Sequence, residues 1–172
     1  VFPCALTIGT YAVARRRNDR MLQFYSMNFA DEGVIGVSLD DMLYRSEQLW
    51  ANYPIGVLKV LIDAGYAVES GMDILYNGTI PNSSGLSSSA SIEVLTAFIA
   101  KSFFSLELDF VEISKLTQKA ENQFIGVNCG IMDQFAIAMG KKDHAIFLDT
   151  ADLSYTYAPI ALEGMKLVIA CS

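Results

Sequence analysis

Cationic residues are scarce in this sequence, and histidine is nearly absent. The 172 residues include 12 lysines and arginines, 19 aspartates and glutamates and one histidine, so the formal net charge at pH 7 is −7. Proteins that bind nucleic acids need a basic surface, and we therefore expect no nucleic-acid partner. The cluster of arginines at residues 15–17 is interpreted as a solvated strand end.

Long apolar runs are missing as well, and cysteines are few. No run approaches the roughly 18 apolar residues that a membrane span requires. Residues 1–14 are apolar, but their positive charges follow them, whereas a secretory signal begins with its charges. The three cysteines, Cys4, Cys129 and Cys171, cannot all pair and have no metal-binding spacing, which predicts reduced thiols. We predict a cytoplasmic protein with no membrane partner.

Neither end of the sequence has the polar residues that are typical of a domain boundary. The chain starts without a methionine in a strand-like segment, and it stops directly after another, residues 166–170. Its length predicts one domain, and 52% hydrophobic with 18% charged residues is typical of a well-packed globule. We therefore expect one incomplete domain of a longer protein.

Hydrophobic periodicity predicts strands, then helices, then strands again, which favours an α+β fold over a doubly wound sheet. The predicted strands are 7–13, 23–28, 34–39, 72–77, 144–149 and 166–170. The first two are predicted to form a hairpin through a turn at 17–19. Helices are predicted at 54–64, 92–104 and 130–139. A further helix is predicted to begin after Asp109, which would be its N-terminal cap. The helix at 92–104 has an apolar face made of Ile92, Leu95, Phe98, Ile99 and Phe103.

The segment at 81–91 is dense in glycine and serine and lies between a predicted strand and a predicted helix. A glycine turn before a helix presents unpaired N–H groups and the positive end of the helix dipole to an anion. Gly85 permits a close approach to a phosphate, and serine hydroxyls add donors or a magnesium ligand. The lysine-containing P-loop pattern is absent. A polar capping loop is the alternative, and the local pattern leaves both open.

Five stretches taken together resemble a known family. Residues 81–90 match the phosphate loop P-x-x-x-G-L-x-S-S-A of the GHMP small-molecule kinases. Residues 1–6, 50–53, 120–124 and 129–135 match further motifs in the same order, and the last of them, Cys-Gly-Ile-Met-Asp-Gln-Phe, is typical of the galactokinase family. The resemblance implies an incomplete GHMP kinase N-terminal domain, of the ribosomal protein S5 domain 2-like type, over residues 1–172.

The resemblance also implies an activity. Galactokinases transfer the γ-phosphate of ATP to the C1 hydroxyl of α-D-galactose with the help of Mg²⁺. Their upstream Gly-Glu-His-Thr-Asp-Tyr motif and the C-terminal domain that completes the site are not in this sequence, so we expect the chain alone to be inactive. The alternatives are another GHMP kinase, acting on homoserine, mevalonate or another sugar, and a non-catalytic sensor of galactose and ATP.

The resemblance further implies residue roles. Asp133 is the catalytic residue that acts on the C1 hydroxyl, and Gly130 and Asp133 bind the sugar. Ser89 and Glu121 are the metal ligands. Residues of the loop bind ATP, namely Ser83, Ser84, Gly85, Leu86, Ser87, Ser88 and Ser89.

Each of these roles has a structural alternative. Glu121 could be a surface acid on a helix, and Asp133 could serve only to stabilise the start of its helix. Trp50 and Tyr53 match a motif near the adenine pocket, but aromatic residues are common in cores. His144 is interpreted as a strand residue without a catalytic role.

Overall fold

A computed structural model of the chain describes residues 1–81, 85–165 and 168. Its strands are β1 (Thr10–Arg16), β2 (Met21–Ser26), β3 (Ile35–Ser38), β4 (Met72–Gly78), β5 (His144–Leu148) and β6 (Tyr155–Pro159). Its α-helices are α1 (Asn52–Asp63), α2 (Ser88–Phe104), α3 (Phe110–Ala120) and α4 (Met132–Ala138). The predicted α+β class is confirmed. The strand predicted at 166–170 lies outside the described residues, apart from Val168.

The larger sheet has four strands in the order β1-β4-β2-β3. β4 runs antiparallel to β1 and parallel to β2, and β3 runs antiparallel to β2. The predicted hairpin between the first two strands is therefore wrong, because β4 is inserted between them. Backbone bonds from Arg17 to Gly71 and from Gly71 to Asp19 fix this insertion. A Cβ atom at Gly71 would lie 1.9 Å from the carbonyl oxygen of Met21, so the position requires glycine.

One face of this sheet carries the main core. Alternate side chains on β2 and β4 are buried against the helices, as a half-buried strand requires. The opposite face exposes the side chains of Tyr11, Val13 and Leu75. The largest buried side chains of the main core are Leu22, Phe24, Ile55, Leu58, Leu61, Met72, Ile74, Tyr76 and Ile113.

Helix α2 is buried over a wider surface than the predicted apolar face. Of the predicted residues, four are partly buried and pack against the main core, namely Ile92, Leu95, Ile99 and Phe103, whereas Phe98 is 43% exposed. The residues that are buried most deeply were not predicted and are mostly small or polar, namely Ala90, Ser91, Glu93, Val94, Thr96, Ala97 and Ala100. Their small side chains let α2 approach α1, α3 and α4 closely.

The later elements follow the predictions more closely. Asp109 caps α3, since its Oδ1 accepts a 2.7 Å hydrogen bond from the backbone N–H of Glu112. The helix then continues into one π-helical turn, Glu121–Ile125, and ends at Gly126 in the left-handed region. β5 was predicted, whereas its partner β6 was not, because β6 is largely exposed and ends in proline. Within the described residues, no helix is both long enough and apolar enough to cross a membrane.

Candidate active site

The glycine- and serine-rich loop leads into α2 through two residues with positive φ. Gly85 has a φ of 69°, which favours glycine, and Ser87 has a φ of 57° although it is not glycine. Ser87 precedes the first turn of α2 without capping it through its side chain. The first N–H groups of this 17-residue helix therefore lie at the loop. Ser83 and Ser84 lie outside the described residues.

The loop contacts Asp133 directly. Oγ of Ser87 donates a hydrogen bond of 2.6 Å to Oδ2 of Asp133, across 46 residues of sequence. Asp133 lies in the first turn of α4. Both side chains line a cleft of about 690 Å³, here called the loop cleft, which Gly85 and Leu86 also line. The structure thus joins the predicted phosphate loop to the predicted catalytic carboxylate.

A second cleft meets the first at Asp133. This Gly130 cleft, of about 760 Å³, is lined by Gly130, Asp133, Met132, Cys129 and the segment at 150–153. A Cβ atom placed on Gly130 would meet no atom within 4 Å, so glycine leaves open space there. Asp133 and Met132 line both clefts. A carboxylate at the junction of two clefts can contact two bound groups at once.

Trp50 and Tyr53 line a smaller pocket together with Ser88 and Ser89, here called the Trp50 pocket, of about 170 Å³. Trp50 stacks on Phe29 at a ring distance of 6.4 Å and also packs against the main core. Its Nε1 is buried and has no hydrogen-bond partner among the described residues. The two predicted roles are therefore compatible, because the aromatic pair supports the core and also lines a pocket at the start of α2.

Glu121 is not a surface acid, since its exposed fraction is 7%. Oε2 of Glu121 accepts hydrogen bonds from Nε2 of Gln134 at 2.6 Å and from Sγ of Cys129 at 3.4 Å. Tyr53 lines the Trp50 pocket together with Ser89. Burial raises the pKa of Tyr53, and the charge of Glu121 raises it further.

Sequence reasoning missed Glu93, which is fully buried. Its Oε2 accepts a 3.3 Å hydrogen bond from Nε2 of Gln134. Burial is the main cause that raises the pKa of Glu93 to about 9, and the charge of Glu121 is the second. The carboxyl group of Glu93 is therefore neutral at pH 7. The available signal was an acid in an otherwise apolar helical segment, since acids are rarely buried without a partner.

The thiol of Cys129 is a hydrogen-bond donor in this cluster. Burial and, after it, the charge of Glu121 raise the pKa of the Cys129 thiol to about 11, which keeps it protonated and unreactive at neutral pH. Cys4 and Cys129 are both free, as predicted, and Cys171 lies outside the described residues. His144 begins β5, and its Nδ1 contacts the backbone oxygen of Lys142.

The residues present are compatible with magnesium but do not form a dense acidic site. No described group of three or more His, Cys, Asp or Glu residues could hold a metal ion. Mg²⁺ requires less than this, because it binds one or two carboxylates and takes its other oxygens from water and phosphate. Glu121, at the start of the π-helical turn, and Ser89, in the first turn of α2, offer oxygen ligands of that kind.

Residues 52–141 match the sequence model of the GHMP kinases N terminal domain. The chain therefore belongs to the GHMP kinase family, as the motifs predicted. Within that family it is 55% identical to a galactokinase of Fusobacterium nucleatum and 54% identical to one of Bacillus subtilis, in each case over 99% of the chain. The chain spans 44% of the length of these two relatives.

Solved structures give the same result for the fold. The structure of Lactococcus lactis galactokinase complexed with galactose matches 94% of this chain with a TM-score of 0.90 and 44% identity, over 42% of its own length. The mevalonate kinase of Methanococcus jannaschii matches 81% of the chain with a TM-score of 0.67 and 20% identity, over 43% of its own length, which shows the fold alone. The predicted GHMP kinase N-terminal fold is confirmed.

Proposed function

We propose that the complete protein containing this chain is a galactokinase, which transfers the γ-phosphate of ATP to the C1 hydroxyl of α-D-galactose. The observation that carries the proposal is the hydrogen bond between Ser87 and Asp133 at the junction of the loop cleft and the Gly130 cleft. A phosphate at the loop and a sugar beside Gly130 would both be within reach of Asp133. Its relatives from Fusobacterium nucleatum and Bacillus subtilis are named galactokinases, which supports galactose as the substrate.

Asp133 accepts the proton of the C1 hydroxyl in this proposal. The C1 oxygen forms a bond to the γ-phosphorus, the bond between that phosphorus and the β–γ bridging oxygen breaks, and ADP leaves. The hydrogen bond from Ser87 occupies Oδ2 of Asp133, and Oδ1 takes no part in that bond. We assign proton acceptance to Oδ1. A carboxylate fixed on a helix can orient the hydroxyl as well as deprotonate it.

The other residues bind and neutralise phosphate. The loop residues Ser83 to Ser89 and the first N–H groups of α2 bind the phosphates of ATP. Ser89 and Glu121 would hold Mg²⁺, which neutralises charge on the phosphate oxygens when it is bound. Phosphoryl transfer depends mostly on such positioning and neutralisation. The partners in this proposal are ATP, galactose and the domain that completes the site, and the location is cytoplasmic.

The test is a turnover assay on the complete protein with galactose and ATP. We expect galactose 1-phosphate and ADP in equal amounts, measured by ³¹P NMR and a coupled ADP assay. Residues 1–172 alone should form neither product, because the chain lacks the sugar-binding motif that precedes it in galactokinases. If the complete protein bound both ligands without forming ADP, it would be a sensor. Turnover with homoserine or mevalonate in place of galactose would identify another kinase of the family.

A further inference from the structure

Hydrogen bonds join three buried polar side chains from three different elements. Glu93 belongs to α2, Glu121 begins the π-helical turn, and Gln134 belongs to α4. Their exposed fractions are 0%, 7% and 1%. Burying polar groups is unfavourable unless hydrogen bonds compensate for the loss of water. Such a cluster is therefore informative about what its members do.

The amide of Gln134 contacts both carboxyl groups. Nε2 donates to Oε2 of Glu121 at 2.6 Å and to Oε2 of Glu93 at 3.3 Å. A primary amide nitrogen carries two hydrogens, so one is available for each carboxyl group. The thiol of Cys129 lies 3.4 Å from the same Oε2 of Glu121 and 3.2 Å from Oδ1 of Asn122, and its single hydrogen is available to either oxygen. Both groups that contact Glu121 therefore reach Oε2, and Oε1 takes part in neither contact.

Two oxygen atoms of this cluster have no partner. Oε1 of Gln134 and Oε1 of Glu93 are both buried without a hydrogen-bond partner among the described residues. A buried acceptor without a partner is destabilising, and an apolar side chain at position 134 would avoid that loss at its own end. It would also remove the donor that the buried carboxyl groups of Glu93 and Glu121 share. What the amide supplies is therefore a fixed donor to these two acids.

We propose that Gln134 is a positioning residue that fixes the carboxylate of Glu121, so that Oε1 of Glu121 is presented to the metal ion. This inference rests on the proposed function, in which Glu121 is a magnesium ligand. Glu93 accepts the second hydrogen bond of the same Nε2 and thereby restrains the amide. Because Asp133 and Gln134 are neighbours on α4, one short helix would carry both the proton acceptor and the residue that orients the metal ligand.

The test measures Mn²⁺ binding to the complete protein by electron paramagnetic resonance, with a non-hydrolysable ATP analogue present. Gln134→Leu should weaken Mn²⁺ binding by about tenfold or more, the loss that is typical when a residue supporting a metal ligand is removed. Galactose binding, measured by calorimetry, should remain near that of the parent. Gln134→Met, which is closer in shape to glutamine, should show the same loss and serves if Gln134→Leu does not fold.

Thr117→Val is the matched control. Thr117 is fully buried on α3, and its hydroxyl donates to the backbone oxygen of Ile113, so the variant also removes a buried polar group but leaves Gln134 untouched. Its Mn²⁺ binding should equal that of the parent. Glu121→Gln changes the proposed ligand itself. Its loss of Mn²⁺ affinity is the reference value for complete loss of the ligand.

The outcomes separate this inference from the proposed function. Parental Mn²⁺ binding in folded Gln134→Leu and Gln134→Met variants, together with weakened binding in Glu121→Gln, would overturn the positioning role and leave Glu121 as a ligand. Parental binding in Glu121→Gln would overturn both, because Gln134 would then have no ligand to orient. An equal loss in Thr117→Val would also overturn the inference, since the effect would then follow from disturbance of the core.

Discussion

Acidic side chains are held in opposite ways in two regions of this molecule. At one end of the larger sheet, arginines pair with exposed or half-exposed aspartates, namely Asp19, Asp40 and Asp73. At the junction of the helices, neutral donors hold the acids. A serine hydroxyl bonds to Asp133, and an amide bonds to both Glu93 and Glu121.

The two kinds of partner have different effects on ionisation. A hydrogen bond from Arg17 lowers the pKa of Asp19 to about 2, whereas burial raises the pKa of Glu93 to about 9. An acid paired with arginine has its charge already neutralised and serves the sheet. An acid held by neutral donors keeps its remaining oxygen available to a metal ion or a proton. The partner of an acid is therefore a better indicator of function than the acid itself.

The largest expected effect is at Asp133. Asp133→Asn keeps the size of the side chain but removes the charge and the proton acceptor. In the complete protein, kcat and kcat/KM should fall together by at least about 100-fold, as is typical for loss of a general base. Galactose and ATP should bind nearly as well as in the parent, as measured by calorimetry. Near-parental kcat in a folded variant would leave Asp133 with only its role at the start of α4.

Next in size is the effect of changing the proposed metal ligands. Glu121→Gln and Ser89→Ala should each raise the Mg²⁺ concentration needed for half-maximal turnover, because each removes one oxygen ligand. Galactose affinity should be nearly unchanged. Exposed Glu107→Gln is the control for loss of a glutamate charge. If Glu121→Gln required no more Mg²⁺ than this control, the buried carboxylate would have no part in metal binding.

A smaller effect concerns the dependence of stability on pH. The pKa of Glu93 is about 9 in the folded state and near 4.5 when exposed, so the unfolded chain loses this proton first. The contribution of Glu93 to stability is therefore greatest below pH 4.5 and falls as the pH rises towards 9. Glu93→Gln cannot ionise, and its unfolding free energy, measured by urea denaturation, should decrease less than that of the parent between pH 5 and 9. A parallel decrease in both proteins would mean that Glu93 is charged when folded.

The smallest effect is expected at the arginine-paired acids. Asp19→Asn should leave turnover at the parental value and lower stability slightly at pH 7, because exposed ion pairs contribute little. The lowered pKa of Asp19 means that its contribution is present above pH 3.8 and is lost as the pH falls through about 2. Adding 1 M salt should further reduce the difference in unfolding free energy between Asp19→Asn and the parent at pH 7, because salt screens the ion pair. A large loss of activity in this variant would contradict the comparison.

Local rules predicted most elements of the fold but not how they pair. The cap at Asp109 and the strands β2, β3, β4 and β5 follow from residue type and alternation, which act over a few residues. The pairing of β1 with β4 joins segments far apart in sequence. The residues of the turn at 17–19 do not indicate that β4 lies between β1 and β2 in the sheet. The residues of α2 that are buried most deeply were not predicted, because several of them are small or polar, such as Ala97, Thr96 and the neutral Glu93.

Motifs in the sequence predict part of the candidate site. They indicate Asp133, Gly130 and the loop at 85–89, and the structure brings Ser87 and Asp133 into contact. The same motifs indicated Glu121 but not the residue that donates a hydrogen bond to its carboxylate. The amide of Gln134 stands beside Asp133 in the sequence, yet its partners come from α2 and from the π-helical turn. Such a contact depends on tertiary packing, which spacing in the sequence does not report.

The insertion of β4 between β1 and β2 has a consequence for synthesis on the ribosome. β2 and β3 are close in sequence and can pair soon after they emerge, whereas β1 has β4 as its partner in the sheet. The end of β4 is translated about 60 residues after the end of β1. At about 5 to 20 residues per second, the nascent β1 waits several seconds with its hydrogen-bonding groups unpaired. During that interval β1 presents unpaired strand edges, together with the side chains of Tyr11 and Val13, to other chains.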